Sequence, residues 1–128
     1  MDERCIARKI AAGLSRRFMA WFLLIIAGLL EVFWTAAMKQ SHGFTRLWPS
    51  VWMCVGTVAS FGLLTVATRT LPLGTAYAVW TGIGVAGSVI TGIVLFSESA
   101  DLRRLACVSL ILLGIVGLRF LSKSDLPN

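Results

Sequence analysis

The sequence predicts an all-α membrane protein with four transmembrane helices per subunit. Composition and patterning carry that reading. Of the 128 residues, 57% are hydrophobic, whereas a soluble domain is roughly 45–50% apolar. Only 14% are charged, against about 25% in a typical soluble protein. The apolar residues also fall into four long runs joined by short polar connections.

The first run, residues 20–38, carries no charge except Glu31. It is long enough to cross a bilayer, which takes roughly 20 residues. The second covers about 48–67, the third about 75–96 and the last 105–121, with Arg119 near its end. The connections KQSHGFTRL, TRTLPLG and SESADLRR each hold Gly, Pro or charge, as turns at a membrane edge do. Pro49 opens the second run and Pro72 precedes the third, where a missing N–H costs little. Trp21, Trp48 and Trp52 lie near segment ends and suit an interfacial aromatic belt. The net charge of +6 follows basic residues that flank the apolar runs and form no long stripe, so nucleic acid is not an expected partner.

Residues 1–18 differ in kind. They hold Arg4, Arg8, Lys9, Arg16 and Arg17. Three readings fit: a basic amphipathic lead-in, a signal-like segment without a small-residue cleavage site, or an upstream start ahead of a true first residue at Met19. The last is preferred, with residues 19–128 as the functional unit, and no function falls to the extension.

No catalytic or nucleotide-binding motif is present, so no enzyme activity is expected. No cofactor or metal is expected either. Cys5, Cys54 and Cys107 are far apart, and the latter two read as small packing residues within apolar runs.

Glu31 is the residue that demands a function. It lies near the middle of its span, where an ionised carboxylate costs about 3 kcal/mol even on a lenient scale. Such a group is by default an ion, proton or substrate site. Ala27, Gly28, Trp34 and Thr35 share its helix face. Gly56, Thr57, Ser60 and Leu64 line one side of the second helix. Tyr77, Trp80, Thr81, Gly84, Ser88 and Thr91 line one side of the third. Gly28, Gly82, Gly84 and Gly87 fit close helix packing, and Gly82 with Gly84 also fits a bend. A carboxylate with indole and phenol faces and hydroxyls makes a cation site. A guanidinium plane donates two parallel N–H bonds to a carboxylate.

Four helices are too few to enclose a solute path. A dimer supplies eight helices and two copies of Glu31, and an antiparallel dimer has the inverted symmetry that transporters use. Within residues 19–128, Arg69, Arg119 and Lys123 on the side of the termini face Lys39, Arg46, Arg103 and Arg104 on the other. That three-to-four split sets almost no orientation. With residues 1–18 the termini gain five basic residues and should turn toward the cytoplasm.

The segments GLLEVFW around Glu31, MKQSHGFTRLWPS across the first connection and LPLGTAYAVWTGIG entering the third helix together resemble the small multidrug resistance transporters. The likeness spans nearly all of residues 19–128. Trp34 beside Glu31 and the WTGIG segment from Trp80 to Gly84 are similar to the guanidinium-exporting subtype. The resemblance implies an antiparallel, dual-topology homodimer in the bacterial inner membrane that exchanges a cation for protons. It implies that Glu31 of both subunits binds protons or substrate in competition, and that Trp34, Ser60, Tyr77 and Trp80 complete the site. It also implies a dimer contact on the fourth helix, where Leu110, Ile111, Gly114 and Ile115 fit. Cys107 stands where the family often has glycine, and the 18-residue extension is a second departure.

Proton-coupled export of guanidinium and small guanidinyl cations is thus the first expectation. Export of quaternary ammonium or aromatic drugs is the alternative, disfavoured because the Trp34 indole narrows the site. A non-transporting subunit of a membrane complex comes last, since paired buried carboxylates would there have a cost without a return. An oppositely oriented homologue is a further conceivable partner beside the homodimer.

Overall fold

The computed structural model describes residues 3–122. Met1, Asp2 and residues 123–128 lie outside the described residues, and with them Lys123 of the charge balance. Four helices follow in order: α1 (Glu3–Gln40), α2 (Leu47–Ala67), α3 (Leu73–Phe96) and α4 (Leu102–Ser122). Each contains a stretch long and apolar enough to cross a membrane. No strand occurs among the described residues.

The helix ends explain where the observed bounds depart from expectation. α1 begins at Glu3, not near Ala20, and residues 3–18 continue the first span without a break. This segment has no proline, and Ala7, Ala11, Ala12 and Leu14 favour helix. An existing helix extends at little cost compared with starting a new one. Its Ile6, Ile10 and Leu14 recur four apart on one exposed face. α4 begins three residues early, at Leu102. The Asp101 carboxylate accepts the Arg103 N–H at 3.3 Å and its carbonyl accepts the Leu105 N–H at 3.0 Å, so Asp101 opens the helix across two arginines.

The connections are tight. In the first, His42, Gly43 and Phe44 all have positive φ. The buried Ser41 carbonyl accepts the backbone N–H groups of Thr45 and Arg46 at 3.0 and 3.1 Å, which closes the turn. Pro72 stands immediately before α3. At the far end of α3, Ser97 adopts the left-handed conformation (φ 50°) and the Glu98 N–H returns to the Gly92 carbonyl at 3.0 Å.

α1 packs against both α2 and α3, while α4 packs on α3 alone. The buried core lies toward the end of the bundle that holds the termini. It joins Ala20, Leu24 and Ala27 of α1 to Leu64 and Ala67 of α2 and to Leu71, Ala76 and Trp80. None of the residues of α4 whose side chains are described is buried. Arg119 reaches back to place its guanidinium 4.2 Å from the centre of the Trp21 ring. Cys54 and Cys107, read as small packing residues within apolar runs, lie on the exposed surface of the chain. The aliphatic side chains of Val55 and Leu110 are exposed as well.

Candidate functional site

Glu31 lies on the α1 face that meets α3. Its Cγ occupies the space a Cβ on Gly84 would need, with only 2.6 Å between them. Gly84 therefore lets the carboxylate lie flat against α3. The same seam uses Gly28 opposite Ile83, at 2.8 Å from a would-be Cβ, and Gly87 directly against Val32. Gly82 is looser and faces Ile115 of α4 at 3.5 Å. α3 runs through Gly82, Gly84 and Gly87 as one helix. Close approach is the common reason for small residues here.

Trp34, one turn beyond Glu31, donates its indole N–H to Glu31 Oε2 at 2.8 Å. Gly56 of α2 makes room for it, since a Cβ there would come within 2.8 Å of Trp34 Cβ. Thr35 donates to the Glu31 carbonyl at 2.9 Å, and its hydroxyl lies 3.1 Å from that of Ser88 on α3. Trp34 thus holds the carboxylate through Oε2, Thr35 holds the Glu31 backbone, and Oε1 is left for another donor.

Ser60, Trp80 and Tyr77 form a second group, one turn away. Ser60 is fully buried and donates to the Ala27 carbonyl at 2.7 Å, while accepting the Trp80 indole N–H at 3.0 Å. Tyr77 stacks obliquely on Trp80 with ring centres 5.4 Å apart, and half of its surface is exposed. Phe61 covers the other flank of Trp80 at 5.3 Å. Ser60 does not hydrogen-bond the Glu31 carboxylate, because its single hydroxyl proton goes to the Ala27 carbonyl of α1. Five candidate residues are therefore brought together as two groups joined through one turn of α1. Leu110, Ile111 and Gly114 lie on the exposed surface of α4, whereas Ile115 turns inward to Gly82.

A third group had no forecast. Glu98, just past α3, pairs with Lys39 at the end of α1 and with Arg104 Nη2 of α4 at 2.5 Å. The Lys39 ammonium, then the Arg104 guanidinium, hold the Glu98 carboxyl below the ordinary carboxylate value. The hint in the sequence was slight: Glu98 is one of two acidic residues in SESADLRR, two residues past the third run.

The geometry therefore places a carboxylate with an indole donor in a glycine-lined seam between α1 and α3. A profile of the small multidrug resistance proteins matches residues 19–111. The chain belongs to the small multidrug resistance family. Its relatives include the guanidinium exporter of Escherichia coli (strain K12), 56% identical over 101 residues, which are 79% of this chain and 96% of that protein. The guanidinium exporter of Yersinia pseudotuberculosis serotype I (strain IP32953) is 57% identical over 104 residues, 81% of this chain and all of that protein. The guanidinium exporter of Citrobacter freundii is 54% identical over 101 residues, 79% of this chain and 96% of that protein. As a member of this family with four spanning helices, the chain is a multi-pass protein of the bacterial inner membrane.

Proposed function

We propose that this small multidrug resistance protein exports guanidinium and small guanidinyl cations in exchange for protons, and that it is not an enzyme. The Trp34–Glu31 hydrogen bond carries the reading. It fixes one carboxylate oxygen and sets an indole plane beside it. A flat cation with paired N–H donors fits the remaining space. The glycines at 56 and 84 draw α2 and α3 close, so the site is narrow and the guanidinium-exporter names of the relatives agree with it.

Coupling follows from competition. Each Glu31 takes either a proton or a share of the cation, so loading of one expels the other. Trp34, Ser60, Tyr77 and Trp80 shape the site: Trp34 directly, and Ser60 with Trp80 by fixing the α1 backbone one turn before Glu31. The working unit is an antiparallel homodimer with two Glu31 side chains, joined through the outer surface of α4 at Leu110, Ile111 and Gly114, with Ile115 beside them. A transporter of this kind in two orientations offers its site to each side in turn. Residues 1–18 remain an extension of that unit; where they are translated, their basic residues bias the termini toward the cytoplasm. In that case a second homologue of opposite bias would serve as partner.

Proteoliposomes under an imposed proton gradient test the proposal. Guanidinium should accumulate against its gradient while tetrapropylammonium moves poorly. Faster proton-driven movement of tetrapropylammonium would favour the drug-exporting alternative. Movement of neither cation would favour the non-transporting subunit.

A further inference from the structure

Glu98 lies at one mouth of a cleft of about 520 Å³ between α1 and α3. Thr35, Ser88 and Thr91 line it, as do Lys39, Glu98 and Arg104 beside the ends of α1 and α3. Thr35 is one turn from Glu31 and bonds to its backbone. Lys39 is eight residues from Glu31, about 12 Å along the helix axis. The cleft therefore reaches from the ends of α1 and α3 to within one turn of Glu31.

The Glu98 side chain is held in place by backbone design. Ser97 in the left-handed conformation turns the chain back over α3, and the Glu98 N–H is fixed to the Gly92 carbonyl. The carboxylate then rests against Gly92, where a Cβ would lie 2.7 Å from Oε2. Its partner on that oxygen is a guanidinium, that of Arg104. Arg104 is also held by the Ser99 carbonyl at 3.4 Å. Lys39 binds the other oxygen and lies 4.5 Å above the Phe96 ring.

We propose that Glu98 is a second cation site, at the mouth of the pathway, where a transported guanidinium exchanges with the side chain of Arg104. The inference rests on the guanidinium-export reading above and deepens it. The resident guanidinium shows that the carboxylate is presented for planar N–H donors. Lys39 keeps hold of Glu98 while Arg104 swings away, so the mouth opens without leaving the carboxylate unpaired. The incoming ion then passes the hydroxyls of Thr91, Ser88 and Thr35 to reach Glu31. In an antiparallel dimer one such mouth faces each side of the membrane.

Flux of guanidinium in proteoliposomes containing the full chain tests this. An exposed ion pair is worth a few-fold in an equilibrium constant. Glu98→Gln should raise the KM for guanidinium about two- to fivefold with little change in maximal rate. Arg104→Ala should lower the KM by about the same factor, an effect that impaired folding cannot imitate. The double variant should behave like Glu98→Gln, because Arg104 acts through Glu98. In a Glu31→Gln background, titration with guanidinium should show a weak residual site that vanishes on adding Glu98→Gln. Wild-type flux with a KM unaltered in both single variants would overturn the mouth site alone. Absence of wild-type guanidinium flux would instead overturn the export reading, and the mouth site with it.

Discussion

Glu31 and Glu98 both lie along the seam between α1 and α3, yet their surroundings are built in opposite ways. Glu31 has a neutral indole donor, the Gly84 wall and, among the described residues, no cation as a hydrogen-bond partner. Glu98 has two cations and a left-handed turn beneath it. The first arrangement leaves the carboxylate's charge open to a proton or a ligand. The second already satisfies that charge, so a ligand must displace a resident partner. In the proposed reading, a deep site that holds and a shallow site that exchanges are complementary parts of one path.

The strongest way to break the comparison is Glu31→Gln. The amide can neither ionise nor release a proton, so proton-driven uphill export should be abolished while the protein still inserts and assembles. Measured guanidinium accumulation in the variant at the wild-type level would remove Glu31 from the coupling step.

Gly84→Ala comes next, because it acts on the deep carboxylate through packing alone. The new methyl group would collide with Glu31 Cγ. Overpacking of this kind typically costs about 1–3 kcal/mol. Export should fall sharply and thermal stability in detergent should drop. Gly82→Ala is the control, since Ile115 is 3.5 Å away and ordinary contact results. Equal losses in both variants would mean that general helix packing, not the Glu31 seat, sets the effect.

What the sequence disclosed follows the same contrast. The four spans and Glu31 were legible because burial of charge in hydrocarbon is costly and leaves a solitary acid in an apolar run. Trp34 was legible as a neighbour on the same turn. Glu98 was not, because an acid at a membrane edge is ordinary and its two partners come from α1 and α4, far away in the chain. Ser60 was legible as a buried hydroxyl, but its partner was not: the Ala27 carbonyl belongs to the backbone, which a pattern of side chains does not show. The helical course of residues 3–18 was hidden by their charges, which set them apart from an apolar span without opposing helix.

Selectivity gives a smaller and sharper test. Trp34→Gly removes the indole that narrows the deep site and frees Glu31 Oε2. The ratio of guanidinium to tetrapropylammonium affinity should shift toward the larger ion by about tenfold, which corresponds to about 1.4 kcal/mol. Calorimetric titration of both ions measures the ratio. An unchanged ratio would reduce Trp34 to a packing residue.

The smallest expected effect concerns pH, and it isolates the shallow site. Glu98 is held below its ordinary carboxylate value of 4.5 by Lys39 first and Arg104 second. A group lowered in the folded state stabilises that state fully above its unfolded value and loses the contribution as pH falls through the folded one. The Lys39–Glu98–Arg104 cluster should therefore persist through the neutral range and come apart only below 4.5. Melting curves of the wild type and of Glu98→Gln in detergent, from about pH 3 to about pH 8, read this directly. Their difference should be small and constant at neutral pH, and should close only at the acidic end. Closure near neutral pH would show that the carboxylate exchanges protons in the working range. Glu98 would then share the chemistry assigned to Glu31, and the division between a proton-exchanging deep site and a permanently charged mouth would fail.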